Sequence, residues 1–355
     1  MRLGIRLLIL VAFALLLSSP NLINKSSADG GPNHRVRNTR FGVSGGNVND
    51  ITKRFCCSGT LGALLTDGTT SYILSNNHVL GLSGNAIVGQ DITQPGLIDS
   101  GCAVSTVVAD FTAAPPLGPS NVDAAVAQLR PGGMDASGEI EDIGVPSSLV
   151  ASPTVGMSVA KSGRTTGFTT GTISSINTSV SVQYQAGCGQ GKKFTVSFTN
   201  QIVIGPGNFS AGGDSGSLIV TNNSNHQPVG LLFAGSSTTT IANPINQVLS
   251  QVSTALGRTV SVAGTTQGPQ IETLAENSPL PEDVEKAIAA KNRHERAMML
   301  QPSVIGMGVG SADDGSGDPA VVFYVDRTTG RPPVLPRHLD NVKVRVIHTD
   351  AFVAR

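Results

Sequence analysis

Between Phe41 and Leu256 the chain alternates short apolar runs with turns rich in glycine, serine and proline. Leu61–Leu65 and Ser71–Ser75 are two such runs, and the Asp67-Gly68 pair between them is a strong hairpin signal. Val104–Phe111 follows, then a proline-rich loop at 115–119, then Val122–Leu129. Past a loop at Pro146–Pro153, further runs come at Met157–Lys161, Thr170–Ile176, Val180–Tyr184, Lys193–Phe198, Ile202–Ile204, Leu218–Val220 and Val229–Phe233. Runs this short are strand-length and too brief for helices, so the segment reads as mainly β. Asn246–Leu256 is predicted to be a helix that closes it.

The pattern then changes. Residues 257–280 are polar and punctuated by glycine and proline, the composition of a linker. Pro281 suits the first turn of a helix, and Glu282 and Asp283 complement the positive end of its dipole. Val284, Ala287 and Ile288 give that helix an apolar face, and it is predicted to end near Leu300, before Pro302. Val304–Val309 and Ala320–Val325 read as strands around an Asp/Gly/Ser loop. After a proline-rich turn at Arg331–Pro336, the alternation at Val342, Val344 and Val346 marks a third. Residues 281–355 are thus predicted to form a small α+β accessory domain. The acidic loop Asp313–Asp318 lacks a full calcium-ligand register and is read as a turn.

Composition adds three constraints. There are 42 glycines, no tryptophan and 14% charged residues among 355, with 39% hydrophobic, which fits a turn-rich β protein with a sizeable core. Formal net charge is zero and no basic patch stands out, so neither nucleic acid nor an anionic membrane is an expected partner. Residues 1–28 read as a signal peptide: Arg2 and Arg6 precede the apolar run Leu7–Leu17, and Ser26 and Ala28 are spaced for cleavage before Asp29. The mature chain is expected to be secreted or periplasmic, beginning with a polar segment at 29–40. Export permits disulfides among Cys56, Cys57, Cys102 and Cys188. Cys56 and Cys57 are adjacent, so each is expected to pair with one of the other two, in either arrangement. No CxxC or His-rich spacing is present, and no metal or cofactor is expected.

The candidate chemistry centres on Gly212-Gly213-Asp214-Ser215-Gly216-Ser217. A serine hydroxyl becomes a nucleophile when a neighbouring base takes its proton, and amides must face the oxygen that turns negative. Glycine accepts positive φ, which lets such a loop aim the N–H groups of Gly213 and Ser215 into one oxyanion hole. A base and an acid lie upstream, His78 in Leu-Ser-Asn-Asn-His and Asp123 in Asn-Val-Asp-Ala-Ala, with gaps of 45 and 92 residues to the next member. His, Asp, Ser is one of the known linear orders of this triad. Asp91, Asp99 and Asp110 are nearby alternatives without the Asn-x-Asp-Ala context. Asp214 is expected to shape the loop rather than to do chemistry.

The runs GTLGALL (59–65), LSNNHVL (74–80), QPGLIDSG (94–101), NVDAAVAQL (121–129), KSGRTTGFTTG (161–171), GGDSGSLIV (212–220), LLFAGS (231–236) and ANPINQVL (242–249) carry a resemblance. The chain resembles the chymotrypsin-fold (trypsin-like) serine peptidases, in a bacterial branch that shares motifs with the plant Narrow leaf 1 family. The resemblance implies a peptidase domain over 41–256, built of two antiparallel six-stranded β-barrels at 41–145 and 154–250, with the active site between them. It implies a secreted serine endopeptidase, a hydrolase using His78, Asp123 and Ser215 through an acyl-enzyme. Substrate backbone would pair along Leu232, Phe233, Ala234, Gly235 and Ser236. Phe209 falls near the base of the family's specificity pocket, and without an acid there a preference for Arg or Lys is not supported. Lys161 and Arg164, flanking a glycine-rich turn, read as a solvated loop. The rival is a catalytically silent scaffold of the same fold that binds peptides or assembles. An α/β-hydrolase is disfavoured, because Ser217 stands where Gly-x-Ser-x-Gly needs glycine and because that fold runs Ser, acid, His. The tail resembles, more weakly, a small domain that accompanies trypsin-like modules in related bacterial proteins; inhibition, docking and folding assistance are all open roles for it.

Overall fold

The computed structural model describes residues 32–266 and 280–354; the expected signal peptide lies outside the described residues. The first sheet is built from β1 (Val43–Asn47), β2 (Gly59–Leu61), β3 (Ala63–Thr66), β4 (Ser71–Ser75), β5 (Asp91–Gln94), β6 (Thr106–Ala113) and β7 (Ala125–Leu129), with the short helix α1 (Asn77–Leu80) after β4. β2 and β3 are one strand broken at Gly62, whose N–H donates to the Leu74 carbonyl at 2.9 Å. Counted so, the pairings β1·β2, β3·β4, β4·β7, β7·β6, β6·β5 and β5·β1 close a six-stranded antiparallel barrel. The hairpin signalled by Asp67-Gly68 is β3–β4.

The second barrel comprises β8 (Ser158–Gly163), β9 (Gly167–Gln185), β10 (Lys193–Gly205), β11 (Leu218–Thr221), β12 (Pro228–Gly235) and β13 (Thr240–Pro244). It closes through β8·β9, β9·β10, β10·β13, β13·β12, β12·β11 and β11·β8. The helix α2 (Ile245–Leu256) then packs Ile245, Val248 and Val252 into a core that includes Leu61, Leu65 and Val126 of the first barrel and Leu218 and Leu231 of the second. That shared core fixes one barrel against the other.

Two readings of the pattern change here. The separate runs at 170–176 and 180–184 belong to one 19-residue strand, β9, which passes through Asn177 at φ 48°. The runs at 193–198 and 202–204 likewise merge in β10. Local polarity broke the apolar pattern where the pairing continues, because asparagine tolerates the left-handed turn that a bulge requires.

β9 outruns its barrel, and the tail covers its edge. After β14 (Ser261–Val262), which pairs with β3, come α3 (Glu282–Met298), β15 (Val304–Ser311), β16 (Pro319–Asp326), β17 (His338–Leu339), β18 (Val342–Thr349) and β19 (Phe352–Ala354). β15 pairs antiparallel with β9, β16 with β15, and β18 runs parallel to β16, so the second sheet reaches eleven strands. β19 turns back to lie antiparallel to β12 and parallel to β9. The three tail strands predicted from the pattern are β15, β16 and β18, yet they extend the barrel sheet rather than forming one of their own. An open strand edge is a ready template for pairing, and β9 supplies one. Part of the expected 257–280 linker is also structured, as β14. The acidic turn at 313–318 holds a lysine: Nζ of Lys343 lies 2.6 Å from Asp314 and 2.7 Å from Asp318.

Candidate active site

β4 and β7 are neighbours, with Ser75 opposite Ala125. His78 lies three residues past the end of β4 and Asp123 two before the start of β7, so the pairing itself brings them together. Nδ1 of His78 is 2.6 Å from Oδ2 of Asp123, and the His78 backbone N–H donates to Oδ1 at 3.1 Å. A carboxylate only accepts, so the ring proton sits on Nδ1 and Nε2 faces away as the basic nitrogen. Asp123 is fully buried. It is held from the second barrel as well: the Tyr184 hydroxyl donates to Oδ2 at 2.8 Å, and the Asp123 N–H donates to Oδ1 of Asn243 at 2.9 Å. Burial, reinforced by the Asp123 charge, pushes the Tyr184 hydroxyl well above its usual range, which keeps it a donor. Neither Tyr184 nor Asn243 was singled out from sequence: Tyr184 ends an apolar strand pattern, and Asn243 lies in the run ANPINQVL, which does not report its contact with Asp123.

Ser215 lies in the loop before β11. It is buried, and its hydroxyl donates to the Phe233 carbonyl at 3.2 Å. Asp214 shapes this loop. Its carboxylate accepts from the N–H groups of Thr165 (2.8 Å), Thr166 (3.1 Å) and Ala211 (2.9 Å) and from the Thr166 hydroxyl (2.7 Å). The first barrel grips the same loop, with the Thr60 N–H on the Ser215 carbonyl at 2.8 Å and the Thr60 hydroxyl on the Gly213 carbonyl at 3.0 Å. A Cβ at Gly62 would stand 1.9 Å from the Gly216 oxygen, so the break between β2 and β3 is what admits the loop. Gly213 has φ +99°, and a Cβ there would meet the Thr165 hydroxyl at 2.5 Å. Among the described residues, the N–H groups of Gly213 and Ser215 donate to no other group.

Lys161 corrects the sequence reading. It is no solvated loop residue: Nζ is fully buried, 3.5 Å from Asp214, and donates to the Gly167 carbonyl at 2.9 Å and to the Thr166 hydroxyl. Burial lowers its pKa, opposed by the Asp214 charge. Arg164 is engaged too, in a two-pronged pair with Asp99 at 2.6 and 2.7 Å. Asp91 and Asp110 both pair with Arg130. The three alternative acids thus each have an arginine partner away from His78.

The specificity residues fall differently. Phe209 is buried in the core of the second barrel with Val159, Ile173 and Ile204, and Lys161 Nζ stands 5.9 Å from its ring centre. Leu232, Phe233 and Ala234 are buried on β12, and Gly235 ends that strand. A cleft of about 510 Å³ opens beside His78, lined by Asp50, Ser58, His78, Tyr184, Gly213 and Ala354 among others. The disulfides are Cys56–Cys102 and Cys57–Cys188. The second ties the first barrel to the β9–β10 turn at the cleft wall. Asp50 lies close to these sulfurs, yet a disulfide offers no thiolate to a metal. Burial pushes the Asp50 carboxyl up to about 6, against a lowering by His78.

Two closed six-stranded barrels meet at a cleft, His78 and Asp123 coming from the first and Ser215 from the second. The chain has the chymotrypsin fold. The family described as the Nal1 C-terminal domain matches residues 107–251, from β6 to α2. No curated protein matches the chain. Similar solved structures include a glutamic acid specific serine protease, at 22% identity and a TM-score of 0.44 over 62% of this chain and 98% of that one. Thermobifida fusca protease A is 18% identical with a TM-score of 0.43, over 64% of this chain and all of that one. A Cellulomonas bogoriensis chymotrypsin is 17% identical with a TM-score of 0.43 over the same shares. No helix among the described residues is long and apolar enough to cross a membrane.

Proposed function

We propose that the protein is an exported serine endopeptidase that hydrolyses peptide bonds through His78, Asp123 and Ser215. The observation that carries the reading is the chain of hydrogen bonds from Tyr184 to Asp123 to His78, which orients the imidazole from both barrels. In this reading Nε2 of His78 takes the Ser215 proton as Oγ attacks the scissile carbonyl. Asp123 holds the tautomer and stabilises the imidazolium without becoming protonated. The N–H groups of Gly213 and Ser215 face the developing oxyanion. His78 then gives its proton to the leaving amine, and a water, deprotonated by the same imidazole, hydrolyses the acyl-enzyme. Export is supported by the signal-like start of the sequence and by two disulfides.

The rival reading, a silent scaffold, is favoured by one observation: Ser215 is wholly buried. Hydrolysis of a denatured protein substrate separates the two. The wild-type chain is expected to cleave it, Asp123→Asn to be about ten-thousand-fold slower in kcat, and Ser215→Ala to leave only background. Equal rates in all three chains, at background level, would favour the scaffold.

A further inference from the structure

The strand next to Ser215 already has an occupant. β11 accompanies β12 only through Leu231, and the Ser215 loop takes over at Leu232, where the Gly216 N–H donates to the Leu232 carbonyl. Beyond that point one edge of β12 pairs with β13. The other pairs with β19: Ala234 lies opposite Ala354 and Gly235 opposite Val353, antiparallel. This is the stretch that the sequence assigns to substrate backbone, and its Phe233 carbonyl receives the Ser215 hydroxyl.

β19 is also seated by side chains. Phe352 is fully buried against Val182, Phe233 and Tyr324, with its ring centre 5.7 Å from that of Tyr324. Ala354 lines the cleft together with His78 and Gly213. The turn before the strand is anchored by Asp350, which accepts from the Ser237 N–H at 3.1 Å and from Arg327 at 2.8 Å. An extended peptide bound by strand addition derives affinity from backbone pairing and selectivity from pockets for alternate side chains. β19 has both, and it runs along β12 toward His78.

We propose that β19 is an intramolecular competitor for the substrate edge, so that a peptide must displace it before cleavage. The inference rests on the serine endopeptidase reading and adds its regulation: the tail holds the protease closed, and the peptide it admits is extended and apolar where Phe352 and Ala354 now lie. The apparent affinity for substrate falls in proportion to the fraction of molecules with the edge open.

The test compares the full chain with one ending at Ala351, which keeps the Asp350 anchor, and with Val353→Pro, which weakens the pairing while leaving the tail in place. Each is assayed for reaction with a fluorophosphonate, which needs no strand pairing, and for hydrolysis of denatured casein, which does. The expected result is labelling of all three chains, with casein hydrolysis at least about tenfold faster in both variants. A synthetic peptide of residues 350–355 should inhibit the shortened chain competitively, and a scrambled peptide should not. Equal casein rates in the full chain and the two variants, with all labelled, would overturn the inference and leave the endopeptidase reading standing. Absence of labelling in all three would remove that reading and the inference with it.

Discussion

Asp50 is a second carboxylate near His78, and it is not part of the proposed triad. It is half-buried, and burial raises its pKa from 3.8 to about 6. A raised acid pKa means that the folded protein holds this proton over a range where the unfolded chain has lost it. Its contribution to stability is therefore most favourable below pH 4, declines between pH 4 and 6, and is flat above. A shift of this size corresponds to about 3 kcal/mol. Asp50→Asn should remove that decline: in urea denaturation it should match wild type near pH 4 and exceed it by up to about 3 kcal/mol at pH 7. Parallel curves across the range would show that the Asp50 carboxyl is not desolvated as described. At this scale the sequence is legible where a residue carries its own context, as with His78 after Ser-Asn-Asn, Asp123 in Asn-Val-Asp-Ala, and Ser215 among glycines. Tyr184 gave no such signal, and Asn243 only its place in the run ANPINQVL. Their importance lies in what they touch, the buried Asp123, and that contact spans 61 and 120 residues of sequence.

The element that sets the geometry around Ser215 is the loop it lies in, and β8 supports that loop from beneath. Lys161 and Asp214 are both fully buried, and the lysine bridges the carboxylate, the Thr166 hydroxyl and the Gly167 carbonyl. Removing one partner of a buried pair leaves the other charge uncompensated, at a cost of about 3–5 kcal/mol. Lys161→Met should destabilise by that order in denaturant titration. It should also slow fluorophosphonate labelling of whatever remains folded, because the Asp214 carboxylate ties the loop that carries Ser215 to Thr165, Thr166 and Ala211. A Lys161→Met chain with unchanged stability and labelling would mean that the other hydrogen bonds to Asp214 suffice. The sequence misplaced this residue because Lys-Ser-Gly-Arg reads as a polar turn. Burial of a cation depends on an acid 53 residues away, which no local pattern reports. The same limit split β9 and β10 into shorter runs: alternation marks a strand, but whether pairing persists through a polar bulge is set by the partner strand.

For the whole molecule, the mainly β character of 41–250 was legible because strand-length runs and turn residues recur with short spacing, whereas its division into two barrels came from the resemblance carried by the motif runs. The closures Gly45↔Gly59 and Gly46↔Thr93 of β1 carried no apolar signal, since Ser44-Gly45-Gly46-Asn47 pairs through backbone alone. The tail was legible as elements and not as a place. Its helix and three strands were readable, but their docking on β9 and the return of β19 to β12 are long-range pairings that periodicity does not encode. That return is what brings the tail to the cleft beside His78. The most direct measurement is fluorophosphonate labelling of the purified chain, with the adduct mapped by mass spectrometry, beside His78→Ala. A single adduct on Ser215 that disappears in His78→Ala is expected. An adduct on another residue, or labelling of Ser215 that persists without His78, would contradict a triad-activated serine.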